Sequence, residues 1–503
     1  MNITSFLKHW SIRENPFTAE EARQDEVFTR LHGDSAHPDF GKIMGDPGRP
    51  ASSVVFGEKG SGKTALRLQL EEAIHAYNEE HPDNRALVIA YDELNPVLDR
   101  FARRVKGRQP LDSLQQLRLI DHIDGLLSVA VPDLVDNLLG KSGEGHAELP
   151  ENARATARTM DRSVASDLLL LQALYDRPDQ ALDRSPLLRK VLRCRYIRGV
   201  RPLRRLCLAL WILVVIAAAA YGIMFKNTIS WPWLLALSGG LALTLVCTIK
   251  VTMDYFRLSH LAKLLSAQLR VLDRSQESFR RSLEILPQRL LVTTALPLDD
   301  LDDPRYAMLE RLRRVIAPFG YRNIIVLIDR VDEPTLVNGE TPRMKAVVWP
   351  LFNNKFLQQE HIAFKMMLPL ELRHELYRQS AEFFQEARLD KQNMIDRLVW
   401  PGTMLYDLCT ARMNACLDGA HEEPVSLTQL FDETVTRQDV VDALDQMRQP
   451  RDAFKLIYQV ILEHCSSTTE EEANWRVPKL VLDQVRRGQV DRVEGLHRGL
   501  RPA

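Results

Sequence analysis

Two uncharged apolar runs in the middle of the chain, residues 206–225 (LCLALWILVVIAAAAYGIMF) and 227–249, constrain it more than any other feature. Each is long enough to cross a hydrocarbon core of roughly 30 Å at about 1.5 Å per residue, and soluble core helices seldom run so far without a polar face. Only Lys226 separates them. The spacing predicts a tight helical hairpin, with Trp231, Pro232 and Trp233 near the far interface, where indole rings favour the headgroup level. Arg189, Lys190, Arg193, Arg195, Arg198, Arg201, Arg204 and Arg205 precede the first run, and Lys250, Arg257 and Lys263 follow the second. Basic residues stay on the cytoplasmic side, so both flanking regions and both termini are expected there, with the lipid bilayer as a partner. The same basic run offers a contact for anionic headgroups. Ser238, Gly239, Gly240, Thr244 and Thr248 would let helices approach closely. Residues 1–14 mix Lys8, His9 and Arg13 with a few apolar residues, so membrane insertion is expected from inside the chain and not from a signal peptide.

Charge and cysteine usage exclude several classes. The 66 basic residues nearly cancel the 67 acidic ones among 503, so no global field points to nucleic acid or an acidic substrate. Cys194, Cys207, Cys247, Cys409, Cys416 and Cys465 form no CxxC pair, and two of them sit in the apolar runs. That argues against a disulfide frame or a zinc site and for soluble parts in a reducing compartment.

Residues 57–64, GEKGSGKT, fit G-x-x-x-x-G-K-[ST] at every fixed position. The β-branched run before them predicts a buried strand at residues 53–56, and the recurrence of Leu66, Leu70, Ala73 and Ile74 predicts a helix over 65–77. Such a strand, loop and helix cradles phosphate. Gly57, Glu58, Lys59, Gly60, Ser61, Gly62, Lys63 and Thr64 supply inward backbone N–H groups at the positive end of a helix. Lys63 would contact phosphates and the Thr64 hydroxyl would hold Mg²⁺, so a nucleotide and Mg²⁺ are the expected ligands. A second strand is predicted at residues 86–91, ending in Asp92 and Glu93, which read either as site carboxylates or as a surface turn.

Far downstream, residues 323–329 (NIIVLID) form a continuous apolar strand ending in an acid, as suits a strand buried on both faces of a parallel sheet. Asp329 at its carboxyl end is the natural second Mg²⁺ ligand. Asp332 and Glu333 follow, and read either as the carboxylates that polarise an attacking water, Glu333 favoured, or as an Asx-type turn before Pro334. A third apolar strand, residues 362–368, belongs beside it; Lys365, Glu371 and Arg373 read either as a polar sensor of the γ-phosphate or, the favoured reading, as ordinary solvated charges.

The order strand, phosphate loop, two apolar spans, then hhhhD-R-h-D-E resembles the KAP family of P-loop NTPases, which carry a membrane hairpin inside the NTPase domain. The resemblance implies ATP as the nucleotide. It also implies an α/β fold: a P-loop NTPase parallel sheet with helical insertions, a two-helix transmembrane hairpin between Walker A and Walker B, and a helical C-terminal lid. Arg330 departs from the pattern, standing where many relatives carry the catalytic acid, and argues for slow turnover. Residues 396–400 (DRLVW) with Leu405, Leu408 and Arg412 are similar to the approach to the lid in the wider AAA+ and STAND group. Gln449, Pro450, Arg451 and Asp452 look like the start of its sensor 2 helix, which would make Arg451 a γ-phosphate sensor; the plainer reading is an arginine paired with Asp452. Residues 14–17 (ENPF) look like the N-terminal element that packs near adenine in that group.

The expected organisation is residues 1–93 and 305–393 for the two parts of the NTPase domain, 94–205 a helical insertion and 206–250 the hairpin. Residues 251–304 follow as a helical stalk, and 394–503 as the lid and C-terminal region, with a flexible linker at 141–151 and a loose basic end. The resemblance implies a bacterial inner-membrane ATPase that forms homo-oligomers and couples ATP binding and hydrolysis to conformational signalling. It further implies a protein partner in a multi-component system and a role in anti-phage defence. A nucleotide-gated membrane scaffold with little hydrolysis is the alternative, and DNA loading is disfavoured by the charge balance. Arg373, Arg388, Arg397 and Arg412 are all candidate fingers acting across a subunit boundary.

Overall fold

Short runs of branched and aromatic side chains with no polar face, such as Val54, Val55 and Phe56, are stable only where both faces of a sheet are covered. In the computed structural model five such strands form one parallel sheet in the order β2-β3-β4-β1-β5. They are β1 (Ser53–Gly57), β2 (Arg85–Tyr91), β3 (Tyr321–Ile328), β4 (Ile362–Pro369) and β5 (Asn393–Ile395). β1 and β4 are buried along their whole length. The rest of the chain is mostly helical, so the fold is α/β. The structure describes residues 1–19, 21–31, 36–105, 107–141, 149–194, 201–224, 231–418, 424–469 and 474–497. Arg195, Arg198, Lys226, most of the linker at 141–151 and the end of the basic tail lie outside the described residues.

The chain forms two compact units. The first takes Met1–Glu80, Leu327–Asp332 and Leu357–Ala503. In it, β1 lies between β4 and β5, pairing Ser53 with Lys365, Gly57 with Pro369, and Val55 with Ile395. Strand β5, only three residues long, is absent from the sequence reading, which has almost all helix signals from about Met394. Also unforeseen is the helix Ile3–His9, capped by the Asn2 side chain, whose Phe6 and Leu7 pack with Leu405, Cys409, Leu456 and Val460 of the C-terminal helices. Lys365 is not a sensor at the carboxyl end of β4. Its register opposite Ser53 puts it at the other end, fully buried, with Nζ donating to the carbonyls of Ile43, Met44 and Ala51 at 2.6, 3.0 and 2.7 Å. Those three acceptors satisfy the ammonium, and burial pushes its pKa down to about 8.

The second unit takes His81–Val326 and Glu333–Phe356. Helix Leu119–Leu139 is almost wholly buried against helices Arg162–Tyr175, Ala181–Val191 and Asp303–Ile316. The turn into β3 depends on one glycine. Gly320 has φ +89°, its carbonyl accepts from Arg85 N at 2.9 Å, and a β-carbon there would stand 2.0 Å from the Pro82 carbonyl oxygen. Gly320→Ala is therefore expected to cost about 1–3 kcal/mol, from positive-φ strain and the clash with backbone. A thermal unfolding midpoint equal to wild type would contradict this.

Two helices of the second unit, Arg201–Met224 and Trp231–Gln268, are long and apolar enough to cross a membrane, and their apolar windows are almost entirely exposed. Small and hydroxyl side chains face each other between them. Thr248 Oγ1 accepts from Trp211 Nε1 at 2.9 Å, Thr244 is buried, and a β-carbon on Gly240 would meet Val214 at 3.3 Å, whereas Gly239 faces open space. The expected helical stalk at 251–304 is made of separate helices. The second apolar helix continues unbroken to Gln268, burying Leu258, Ala262 and Leu265, and the chain restarts as Gln276–Leu283 after Ser275, whose side chain caps it. The break comes where Arg274 turns inward, fully buried, donating to Ala173 O and Ser282 Oγ, both at 2.6 Å.

Candidate functional site

The site is built in the first unit on the carboxyl end of β1. Gly60 and Gly62 hold φ of +94° and +90°, a region costly for any side chain, and this lets the loop turn back over the strand end before the helix Lys63–Glu80 begins. Nor is there room for a side chain at Gly57, where a β-carbon would come within 2.4 Å of Ser61 Oγ. Lys63 Nζ donates to the carbonyls of Gly57 and Glu58, both at 2.9 Å, so the ammonium lies inside the loop.

Thr64 and Asp329 are brought together across an intervening strand. β4 separates β1 from β3, yet the Thr64 hydroxyl donates to Asp329 Oδ2 at 2.8 Å. The chain turns sharply after Asp329 because Arg330 adopts φ +58°, and the Arg330 backbone N–H donates to the Asp329 carboxylate. Burial raises the Asp329 pKa, opposed by the Thr64 and Arg330 hydrogen bonds and by the charges of Lys63 and Arg67. Burial lowers that of Lys63, opposed by Asp332, Asp329 and Glu371, while Arg451 adds to the lowering. One ammonium thus sits among three carboxylates with a guanidinium close by. This is a charge set suited to a polyanion carrying a divalent cation.

Three further contacts fasten the loop. Arg397 donates to Glu58 at 2.6 Å. Trp400 Nε1 donates to the Ser61 carbonyl at 2.8 Å, its ring lying beneath Gly62 and edge-on to His37 at 4.9 Å. Arg451 opens the helix Pro450–Ser467 directly against Gly60: its N–H reaches Gly60 O at 3.4 Å, and a β-carbon on Gly60 would meet its side chain at 3.1 Å. Arg451 does not pair with Asp452, which instead accepts from Gln449 and Arg492. Three buried polar atoms around the loop, Ser61 Oγ, Gln449 Oε1 and Arg451 Nε, have no hydrogen-bond partner. Buried polar atoms are rarely left so; Ser61 Oγ and Arg451 Nε could donate to a ligand rich in acceptors, whereas Gln449 Oε1 can only accept. Trp400 is the residue that sequence reasoning passed over as part of a similarity to the lid approach; an isolated tryptophan has no periodicity to betray it.

Lys59 stands in the same loop with its side chain exposed to solvent. Asp332 ends the segment Leu327–Asp332, whereas Glu333 belongs to the second unit, as do Asp92 and Glu93 after β2. Of the arginines considered as fingers, Arg412 is buried and paired with Asp25 at 2.7 Å, which removes it from any subunit boundary. Arg397 is engaged with Glu58, Arg373 lies 3.6 Å from Asp396 and stacks on Tyr377, and Arg388 caps a helix with φ +50°. Among the described residues no cluster of three or more His, Cys, Asp or Glu could hold a metal alone. A cation here would rely on Thr64, Asp329 and the ligand it accompanies. The ENPF element packs on the C-terminal helices: the Pro16 carbonyl accepts from Arg412 Nε at 2.8 Å, and Phe17 sits 6.2 Å from Phe454.

Comparison with protein-family models, with curated proteins and with solved structures returned no match.

Proposed function

We propose that the chain is a membrane-anchored P-loop ATPase of KAP type that couples ATP binding and hydrolysis to signalling at the bacterial inner membrane. The observation that carries the reading is the 2.8 Å contact between the Thr64 hydroxyl and Asp329, two residues 265 positions apart that a Mg²⁺-nucleotide site needs side by side. The loop also lies at the carboxyl ends of parallel strands, where α/β sheets hold ligands. When bound, Mg²⁺-ATP would supply the phosphoanhydride and the neutralising cation. Lys63 would lend positive charge to the phosphates, Thr64 and Asp329 would orient the cation, and Arg451 would read the terminal phosphate. Asp332 or Glu333 would take the proton from water. Arg330, immediately after Asp329, favours slow turnover, and a gated scaffold with little hydrolysis is the alternative.

Topology enters the same reading. Exposed Arg204 and Arg205 at one end of the hairpin, with Lys250, Arg257 and Lys263 on the other helix, support cytoplasmic flanks. The 38-residue helix Trp231–Gln268 spans about 57 Å at 1.5 Å per residue, nearly twice a hydrocarbon core, and so would carry movement well beyond it. Within the second unit its foot is clamped: Arg270 donates to Asp121 at 2.6 Å, and the next residue, His122, bonds the Val347 carbonyl at 2.9 Å through Nε2. Val347 lies on the segment Glu333–Phe356 that follows Asp332. A shift of that segment would thus be felt at the base of the hairpin. Homo-oligomerisation, a protein partner and an antiviral role come from the family resemblance.

The test is binding of a fluorescent ATP analogue by the detergent-purified full chain, with and without Mg²⁺, across pH. Mg²⁺ needs the ionised Asp329, whose folded pKa is raised. Proton and cation therefore compete up to a higher pH than for an ordinary carboxylate. Mg²⁺-dependent affinity should rise with pH through that raised value and level off above it, and Asp329→Asn should weaken it by about 10-fold or more without the pH step. Binding indifferent to Mg²⁺ and to Asp329→Asn would sink the reading.

A further inference from the structure

Two cysteines face each other across the apolar helices. Cys207 lies on Arg201–Met224, six positions from its start, and Cys247 lies on Trp231–Gln268, three residues before Lys250. Their thiols are within hydrogen-bonding reach, and Cys207 Sγ also sits 3.5 Å from Thr248 Oγ1. Cys207 is buried and Cys247 is partly exposed. At this level the Trp211 Nε1–Thr248 Oγ1 hydrogen bond links the two helices, with the small side chain of Thr244 buried beside it.

We infer that Cys207 and Cys247 form a dithiol modification site that an apolar disulfide oxidant converts to a disulfide fastening the two apolar helices at their charged end. The chemistry balances as two exchanges. The Cys247 thiolate attacks the oxidant's sulfur–sulfur bond, releasing one thiol and leaving a mixed disulfide. The Cys207 sulfur then attacks Cys247, its proton leaving with the second released thiol. Two protein thiols are oxidised and one oxidant disulfide is reduced to two thiols. The more exposed sulfur is the entry point and the buried one resolves it. The site depends only on packing within the hairpin, so it stands apart from any nucleotide chemistry.

The experiment treats the full chain, in membranes and in detergent, with 4,4′-dithiodipyridine and analyses the digested protein by mass spectrometry without reduction. Expected is a peptide pair joined through Cys207 and Cys247, with two thiopyridones released for the pair and no retained adduct. Cys207→Ser should instead trap a stable mixed disulfide at Cys247, with release halved at this site. Serine is small and hydroxyl-bearing like the neighbouring threonines, so the hairpin should survive the change. An adduct retained on Cys247 in the wild type beside a free Cys207, or links from either cysteine to a second copy of the chain, would overturn the inference.

Discussion

Lys63→Ala is expected to lower ATP turnover by about 100-fold or more, the scale seen when one preorganised charge is removed from a phosphoryl- or acyl-transfer site. Lys63 Nζ lies 2.9 Å from two loop carbonyls and feels Asp329, Asp332 and Glu371 at once, so no other side chain can take its place. Burial has already lowered its pKa, and the carboxylates oppose that shift. A bound polyanion would oppose it further and so favour the charged form. Lys63→Arg keeps the charge but not the compact ammonium, and should fall between the two. Turnover within about threefold of wild type in Lys63→Ala would show that the loop is not where the chemistry occurs.

Arg412→Ala should be felt in stability, by about 3–5 kcal/mol, because it strands a buried carboxylate. Arg412 is 2% exposed and Asp25 6%. The guanidinium also donates to the Pro16 carbonyl and lies 4.5 Å from the centre of the Phe454 ring. It therefore ties the N-terminal segment to two C-terminal helices at a single point. An arginine acting across a subunit boundary would behave otherwise, losing turnover with the unfolding midpoint intact. Thermal unfolding of Arg412→Ala beside Asp25→Ala separates the two cases: both should drop together. An unchanged midpoint in either would contradict the buried-pair account.

Legibility in the sequence followed the range of the interactions involved. The strands at residues 53–57, 85–91, 321–328 and 362–369 were readable because each is dominated by apolar residues, and burial on both faces leaves that mark. The two apolar helices were readable by length alone. The loop was legible because positive φ at Gly60 and Gly62 demands glycine. What escaped depends on partners far away in the chain. β5 is three residues, too short to carry a period, and exists only because β1 offers it an edge. Lys365 looks like a solvated charge in the sequence, and only the fold supplies the three carbonyls that hold it. Trp400 and Arg397 reach back more than 300 positions to the phosphate loop, a span over which sequence spacing says nothing. The break after Gln268 left no mark because Leu269, Val271 and Leu272 keep the apolar pattern going after the backbone has left the helix to bury Arg274.

The central claim is that this chain hydrolyses a Mg²⁺-nucleotide at the loop of residues 57–64. Steady-state ATP hydrolysis by the detergent-purified full chain, with Mg²⁺ and with a chelator, beside Lys63→Ala and Glu333→Gln, tests it most directly. The account predicts slow, Mg²⁺-dependent turnover in the wild type that both substitutions abolish; binding of ATP without turnover in the wild type, or turnover that survives Lys63→Ala, would contradict it.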